Sequence, residues 1–129
     1  LCIKPGQHGS TFGGNPIAAK VGIAALTVVK EEKLAEKSEK LGKIFREEIM
    51  KINSDMIESV RGKGLLNAVV IKPKNGKEAW DICLKMAEKG LLAKPTHRHF
   101  IRFAPPLIIT EEQLMDAMRI IRESVESFN

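Results

Sequence analysis

The segment IESVRGKGLLNAVVI, residues 57–71, is the clearest indication of the fold in this 129-residue sequence. Branched apolar residues dominate both of its ends, as is usual for β-strands. Between them, Arg61-Gly62-Lys63-Gly64 has the glycine content of a turn. We therefore predict a short strand over residues 57–60, a turn over residues 61–64 and a stronger strand over residues 65–71.

Two further strands are expected later in the chain, over residues 91–93 and 100–103. The segment Pro95-Thr96-His97-Arg98-His99 connects them, and Pro105-Pro106 ends the second because proline cannot continue the hydrogen-bond ladder. With the helices described next, these strands predict an α+β fold, in which helices pack on a small and largely antiparallel sheet.

Four apolar stripes at helical spacing predict four helices. Asn15-Pro16 suits the start of the first, and Glu31-Glu32 marks its end. Gly90 suits the end of the third, and Thr110 and Gln113 have capping-box spacing at the start of the fourth. The apolar stripes comprise Ile17, Val21, Ala24, Ala25 and Val28; Leu34, Leu41, Ile44, Phe45, Ile49 and Ile52; Trp80, Cys83, Leu84 and Ala87; and Leu114, Ala117, Met118, Ile121, Val125 and Phe128. The small residues of the first helix suit close packing against a partner outside this chain.

The basic residues behind the net charge of +5 do not cluster along the sequence. Along the second predicted helix, lysine and arginine alternate with glutamate, which is typical of a solvated helix face. Aromatic residues beside the basic residues are missing, so we expect no nucleic-acid partner. The sequence has no apolar run near the ~18 residues of a membrane-spanning helix, so we expect no membrane association.

The two cysteines, Cys2 and Cys83, fit neither a disulfide scaffold nor a zinc site, and they indicate a reducing compartment. The three histidines come from two distant loops without acidic neighbours at ligand spacing, so we expect no metal. The chain opens with Leu1-Cys2-Ile3, without methionine and as though midway through a strand. We therefore expect it to be a portion of a longer polypeptide.

The glycine-rich loop over residues 8–15 is the first candidate site. Ser10 and Thr11 place two hydroxyls just before a helix start, where hydroxyls, free N–H groups and the helix dipole suit a phosphate. An ordinary polar turn followed by a helix cap explains the same residues, and such loops are common.

The second candidate is Arg102, which lies between Ile101 and Phe103 in an apolar strand. A charged residue there must face solvent, pair with a carboxylate or bind an anionic ligand, and the planar guanidinium suits a carboxylate. Strand alternation alone predicts a solvent-facing side chain equally well. The turn over residues 61–64 is a weaker candidate for an anion site, because glycine turns between strands are mostly structural.

Three segments resemble motifs of the class III aminotransferases, which depend on pyridoxal 5′-phosphate. HGSTFGGNP, residues 8–16, resembles their H-G-S-T-[FY]-G-G-N-P segment. RGKGLL, residues 61–66, resembles R-G-x-G-L-[LM], and IRFAPPL, residues 101–107, resembles I-R-[FL]-x-P-P-L. Their order and spacing match the family over essentially the whole chain.

Within this class, the ornithine aminotransferases have the most similar versions of three further segments. These are IKPG at residues 3–6, LLNAVVI at residues 65–71 and LLAKPTH at residues 91–97. Arg98-His99 departs from the pattern, because the ornithine enzymes carry small and acidic residues there. The departure lies in a loop and leaves the resemblance standing.

The resemblance implies a homodimer of fold type I, in which residues 1–30 end the large domain and residues 31–129 form the C-terminal small domain. Ser10 and Thr11 would contact the phosphate of a pyridoxal 5′-phosphate bound mainly by the other subunit. Arg102 would pair with a glutamate of the large domain and bind substrate carboxylates. The family's Schiff-base lysine belongs to a segment that this sequence lacks. No catalytic residue is therefore assigned, and the chain alone is expected to be inactive.

The implied reaction of the full protein transfers the δ-amino group of L-ornithine to 2-oxoglutarate, giving glutamate 5-semialdehyde and glutamate. Two alternatives stay open: an acetylornithine or other class III aminotransferase, and a stand-alone α+β ligand-binding module. We expect the cytoplasm or the mitochondrial matrix as the compartment.

Overall fold

The computed structural model describes residues 2–74 and 76–129. It has two compact units, the first ending at Leu34 and the second beginning at Ala35. The predicted α+β class is confirmed, and none of the helices among the described residues is long and apolar enough to cross a membrane. The elements in chain order are α1 (Pro16–Glu31), α2 (Leu34–Met50), β1 (Ile57–Lys63), β2 (Leu66–Ile71), α3 (Ala79–Glu88), β3 (Lys94–Thr96), β4 (Phe100–Phe103) and α4 (Glu111–Glu126).

The first unit consists of the glycine-rich loop and helix α1. Asn15 caps the helix, because its side-chain oxygen accepts from the Ala18 N–H at 2.9 Å, and Pro16 occupies the first helical position. The predicted start is thereby confirmed, as is the end at Glu31. Helix α1 has no buried residue, so the predicted apolar stripe is solvent-exposed along its whole length.

The second unit is built on a four-stranded sheet in the order β1-β2-β4-β3, with every pair antiparallel. Helices α2, α3 and α4 cover one face. Phe45 of α2 and Phe103 of β4 meet there with ring centroids 5.2 Å apart. The buried cluster comprises Leu41, Phe45, Ile49, Ile52, Met56, Leu65, Val69, Ile71, Ala79, Ile82, Cys83, Met86, Ile101, Phe103, Leu114, Met118, Ile121 and Val125. Each large member contributes about 1.5–3 kcal/mol by leaving water.

Strand β1 is longer than the sequence pattern predicts. We expected the strand to end at residue 60 and the turn to cover residues 61–64, but pairing continues through Lys63, opposite Leu66. Only Gly64 and Leu65 form the turn, and Gly64 supplies the positive φ of +53° that primed hairpin turns need at their first central position. Glycine at position 62 therefore belongs to a strand.

Strand β3 lies later than predicted, at Lys94–Thr96 instead of residues 91–93. The expected segment still completes the end of α3, because the Leu91 N–H donates to the Met86 carbonyl at 3.0 Å and Gly90 has φ +89°. Pairing with β4 starts only at Lys94. Strand β4 itself has the predicted bounds.

The predicted core face of α3 is wrong for three of its four residues. Trp80 is 59% exposed, Leu84 is 49% exposed and Ala87 is exposed as well. Cys83 is buried as expected, together with Ala79, Ile82 and Met86. The sets 80, 83, 84, 87 and 79, 82, 83, 86 have the same helical spacing, so periodicity alone cannot choose between them.

Candidate functional site

The turn between β1 and β2 packs tightly against helix α2. Ser38 Oγ accepts from the Leu65 N–H at 2.9 Å, and one turn further along α2 Gly42 lies against the Gly64 carbonyl. A Cβ added to Gly42 would be 1.8 Å from the Gly64 oxygen, so only glycine fits at this crossing.

Arg46 and Asn67 complete this contact with a hydrogen-bonded network. Arg46 Nη1 donates to Asn67 Oδ1 at 2.9 Å and to the Gly64 carbonyl at 3.1 Å, and Asn67 Nδ2 donates to the same carbonyl at 3.1 Å. Asn67 is only 2% exposed. The arrangement gives the RGKGLL segment a structural role, in agreement with the interpretation that glycine turns between strands are mostly structural.

The face of the sheet away from the helices carries Arg102. Ile101 and Phe103 point into the core, and Arg102 between them is exposed, as strand alternation predicts. Cross-strand register places Arg102 opposite Ala68 of β2 on one side and opposite Lys94 of β3 on the other. Ala68 in turn pairs with Arg61 of β1. Three basic residues thus share one row across the open face.

The cations of this face differ in their partners. Lys63 pairs with Glu39 at 3.1 Å, and that contact holds the pKa of the Glu39 carboxyl below its ordinary value. The Arg61 guanidinium lies over the Phe100 ring, 5.2 Å from its centroid. Arg102 has no ion pair with any of the described residues.

Two open concavities adjoin Arg102 on this face. One, of about 410 Å³, lies towards β1, with Ala68 as its small central residue and Leu66 and Arg61 at its sides. The other, of about 330 Å³, lies towards β3. Its lining residues are Leu92, Ala93, Lys94, Arg102 and Ala104. The short side chain of Ala68 leaves the first concavity open, and the edge position of β3 leaves the second open.

The turn between β3 and β4 contains Arg98 and His99, the two residues that we expected to depart from the pattern of the ornithine enzymes. Within this turn, His97 and Arg98 have left-handed backbone conformations, with φ +49° and +63°. The Arg98 guanidinium donates to both oxygens of Glu78, from Nε at 3.0 Å and from Nη2 at 2.6 Å, and this contact lowers the pKa of the Glu78 carboxyl. The exposed pair thus connects the strained turn to the capping residue of α3.

Ser10 and Thr11 are exposed in a loop that is closed by a hydrogen bond from the Gly13 N–H to the Ser10 carbonyl at 3.3 Å. Within the part of the chain that the structure describes, neither hydroxyl bonds to another protein group. Pro16 has no N–H and Ala18 donates to the cap, so the helix end offers an anion little more than the Ile17 N–H. The two hydroxyls and the N–H groups of the loop itself are therefore the donors that this segment could offer a phosphate.

The remaining candidate chemistry is sparse. Among the described residues, no three histidine, cysteine or acidic side chains come together as a metal site. Both cysteines are free thiols, and burial raises the pKa of the Cys83 thiol to about 11, so this thiol is unreactive near neutral pH.

Lys94, which lies opposite Arg102, is a residue of this face that our sequence analysis did not single out. The strand was expected to end at residue 93 and the connecting segment to begin at Pro95, so Lys94 was assigned to neither. The signal that could have found it is Pro95: proline is confined to edge strands within sheets, so β3 could have been extended through it.

The model of the family described as "Aminotransferase class-III" matches residues 1–125. The chain belongs to the class III aminotransferase family. It is 52% identical over 128 residues to the Rattus norvegicus protein "Ornithine aminotransferase, mitochondrial", covering 99% of this chain and 29% of that protein. The chain thus spans less than a third of the length of this curated relative.

Solved structures of class III aminotransferases have the same fold. The acetylornithine aminotransferase of Elizabethkingia anophelis superposes with a TM-score of 0.88 and 58% identity, over 98% of this chain and 32% of that one. The ornithine aminotransferase of Toxoplasma gondii gives a TM-score of 0.87 and 44% identity, over 97% of this chain and 30% of that one, and its structure is described as having pyridoxal 5′-phosphate at partial occupancy. The resemblance stated from the three motifs is confirmed.

Proposed function

We propose that residues 1–129 form the C-terminal part of an ornithine aminotransferase, which transfers the δ-amino group of L-ornithine to 2-oxoglutarate. The observation that carries the proposal is Arg102, an exposed guanidinium on the open sheet face with no carboxylate partner among the described residues. Such a group suits the carboxylates of amino-acid and 2-oxo-acid substrates. The curated relative from Rattus norvegicus, which is called an ornithine aminotransferase, supports the choice of ornithine.

In this proposal Ser10 and Thr11 contact the cofactor phosphate across the interface of a homodimer. Their exposed hydroxyls fit a phosphate, and the loop over residues 8–15 has no acidic side chain that would repel one. When bound, pyridoxal 5′-phosphate supplies the electron sink for amino-group transfer. Residues 1–30 would then end the large domain, and the lysine that binds the cofactor would lie outside this chain. We therefore expect residues 1–129 alone to be inactive.

Arg102 is proposed to serve two substrates of different charge. Paired with a glutamate of the large domain, the guanidinium is neutralised and leaves room for the cationic amine of ornithine. Released from that partner, it donates two parallel hydrogen bonds to a carboxylate of 2-oxoglutarate. An exposed strand position with no competing carboxylate nearby allows both states.

Replacing Arg102 in the full-length enzyme tests this role. Arg102→Met should slow the half-reaction with 2-oxoglutarate about ten- to a hundredfold, because the loss of a charged hydrogen-bonded contact corresponds to a change of that size. It should slow the half-reaction with ornithine less. Single-turnover absorbance measurements of the two half-reactions give both rates. Arg119→Met, on the exposed side of α4, is the control and should leave both unchanged. Equal losses in the two half-reactions would contradict the proposal.

An acetylornithine aminotransferase is the alternative that a specific observation favours. The structure from Elizabethkingia anophelis that carries this name is 58% identical to the chain. Steady-state rates of the full-length enzyme on ornithine and on acetylornithine decide between the two. A kcat/KM for acetylornithine above that for ornithine would overturn our choice of substrate.

A further inference from the structure

Lys94 and Arg102 form a like-charge pair directly across the strands β3 and β4. Residues in such positions have Cβ atoms about 5 Å apart, and two like charges at this separation destabilise a sheet. Neither side chain forms an ion pair with a carboxylate among residues 2–74 and 76–129. The repulsion between them is therefore not compensated within these residues.

The concavity towards β3 lies beside both cations. Its volume of about 330 Å³ accommodates a small carboxylic acid, and Lys94, Arg102, Leu92 and Ala104 contribute to its walls. A carboxylate there would accept hydrogen bonds from an ammonium and a guanidinium together. Binding would also relieve the repulsion between the two cations.

We propose that Lys94 is a second cation of the carboxylate site built on Arg102, and that it binds a carboxylate of 2-oxoglutarate. The inference rests on the proposed function, whose substrate it uses. With two carboxylates, 2-oxoglutarate is attracted by two adjacent cations, whereas ornithine carries one carboxylate and two ammonium groups that the same cations repel. Lys94 would thus favour the 2-oxo-acid half of the reaction.

Arg61 is the other cation of the same row, and it is a poorer candidate. Two strand spacings, roughly 9.5 Å, separate its backbone from that of Arg102. Its guanidinium already lies over the Phe100 ring. Arg61 therefore serves as a matched comparison on the same face of the sheet.

A structural explanation of Lys94 also exists. Strand β3 is an edge strand, and lysine on an edge discourages pairing with another chain. This explanation predicts that removing the charge promotes aggregation and leaves substrate affinity unchanged. The two explanations therefore differ in what a kinetic measurement shows.

The experiment uses the full-length enzyme with the variants Lys94→Met, Lys94→Arg, Arg61→Met and Lys37→Met. Lys37 is exposed on α2, on the opposite side of the sheet, and serves as the control. For each variant, KM and kcat are measured for 2-oxoglutarate and for ornithine. Competitive inhibition by glutarate and by pentanoate, with two carboxylates and one, is measured in parallel.

We expect Lys94→Met to raise the KM for 2-oxoglutarate and the Ki for glutarate about five- to tenfold, with kcat and the KM for ornithine within about twofold of wild type. The Ki for pentanoate should rise as well, because its single carboxylate would accept hydrogen bonds from the same two cations. Lys94→Arg should restore both constants to within about twofold, because the charge is retained. Arg61→Met and Lys37→Met should have no such effect.

Three results would overturn the inference. The first is an unchanged KM for 2-oxoglutarate in Lys94→Met, including the case in which only aggregation increases. The second is an equal rise in KM for both substrates, which would indicate a protein carboxylate as the partner of Lys94. The third is Lys94→Arg behaving like Lys94→Met. If the wild-type enzyme does not transfer the amino group of ornithine to 2-oxoglutarate, the proposed function itself fails, and that result is distinct from all three.

Discussion

The two hairpins of the sheet are held in place by different means. The turn of β1–β2 is buried against α2. Close contact between Gly42 and the Gly64 carbonyl, together with the Arg46–Asn67 hydrogen bonds, fixes the position of this turn. The turn of β3–β4 is exposed, with two left-handed residues and a surface ion pair to Glu78. The first hairpin thus fixes the sheet against the helices, whereas the second carries Arg102 and Lys94 on its exposed face.

The largest effect is expected from Gly42→Ala. The added Cβ would lie 1.8 Å from the Gly64 oxygen, and because backbone faces backbone there, the helix and the hairpin must separate. We expect a loss of about 3 kcal/mol in the free energy of unfolding, at the upper end of typical overpacking. Urea denaturation followed by circular dichroism measures it. Lys37→Ala, an exposed change on the same helix, should stay within about 0.5 kcal/mol. Similar stabilities for the two variants would show that the turn is not fixed by this crossing.

A smaller loss is expected from Asn67→Ala. The substitution removes an acceptor from the half-buried Arg46 and a donor from the Gly64 carbonyl, which keeps its bond from Arg46. We expect the free energy of unfolding to fall by about 1–3 kcal/mol. The same denaturation experiment measures it, with the exposed Asn53→Ala as the control. If Asn67→Ala lowered the free energy of unfolding no more than Asn53→Ala does, the Arg46–Asn67 network would add little stability beyond the contact between Gly42 and Gly64.

The smallest effects are expected at the exposed turn. Arg98→Gly removes the ion pair but also relieves the left-handed strain, so its melting temperature at pH 7 should be near that of wild type. Arg98→Ala removes the pair and keeps the strain, so it should melt at a lower temperature than either. A melting temperature of Arg98→Ala equal to that of Arg98→Gly would show that the backbone strain is insignificant.

The pH dependence separates the ion pair from the strain. The folded-state pKa of Glu78 lies below its ordinary value of 4.5, chiefly because Arg98 donates to the carboxylate. A carboxyl with a lowered pKa stabilises the fold above the unfolded-state value, and this contribution disappears as the pH falls through the folded-state value. Melting curves between pH 6 and pH 3 should therefore show a steeper loss for wild type than for Arg98→Gly. Parallel losses would contradict this assignment.

Much of the fold and part of the site follow from local patterns. The cap at Asn15, the capping box at Thr110 and the bounds of β4 agree with the predictions, because each depends on residues within one or two turns of chain. The solvent-facing orientation of Arg102 follows in the same way from alternation between Ile101 and Phe103. The family resemblance likewise rests on contiguous motifs.

Contacts between distant residues required the tertiary structure. The position of Lys94 opposite Arg102 depends on cross-strand register, which follows from the bounds of β3 and the length of its turn, and the sequence pattern misplaced both. The buried face of α3 depends on which of two equivalent stripes meets the sheet, and the need for glycine at position 42 depends on a turn 22 residues further along the chain. By itself, then, the sequence determined the number and order of the elements, the caps of α1 and α4 and the outward direction of Arg102. The tertiary structure decided what lies beside that arginine, because neighbours across a sheet are set by packing of the whole unit.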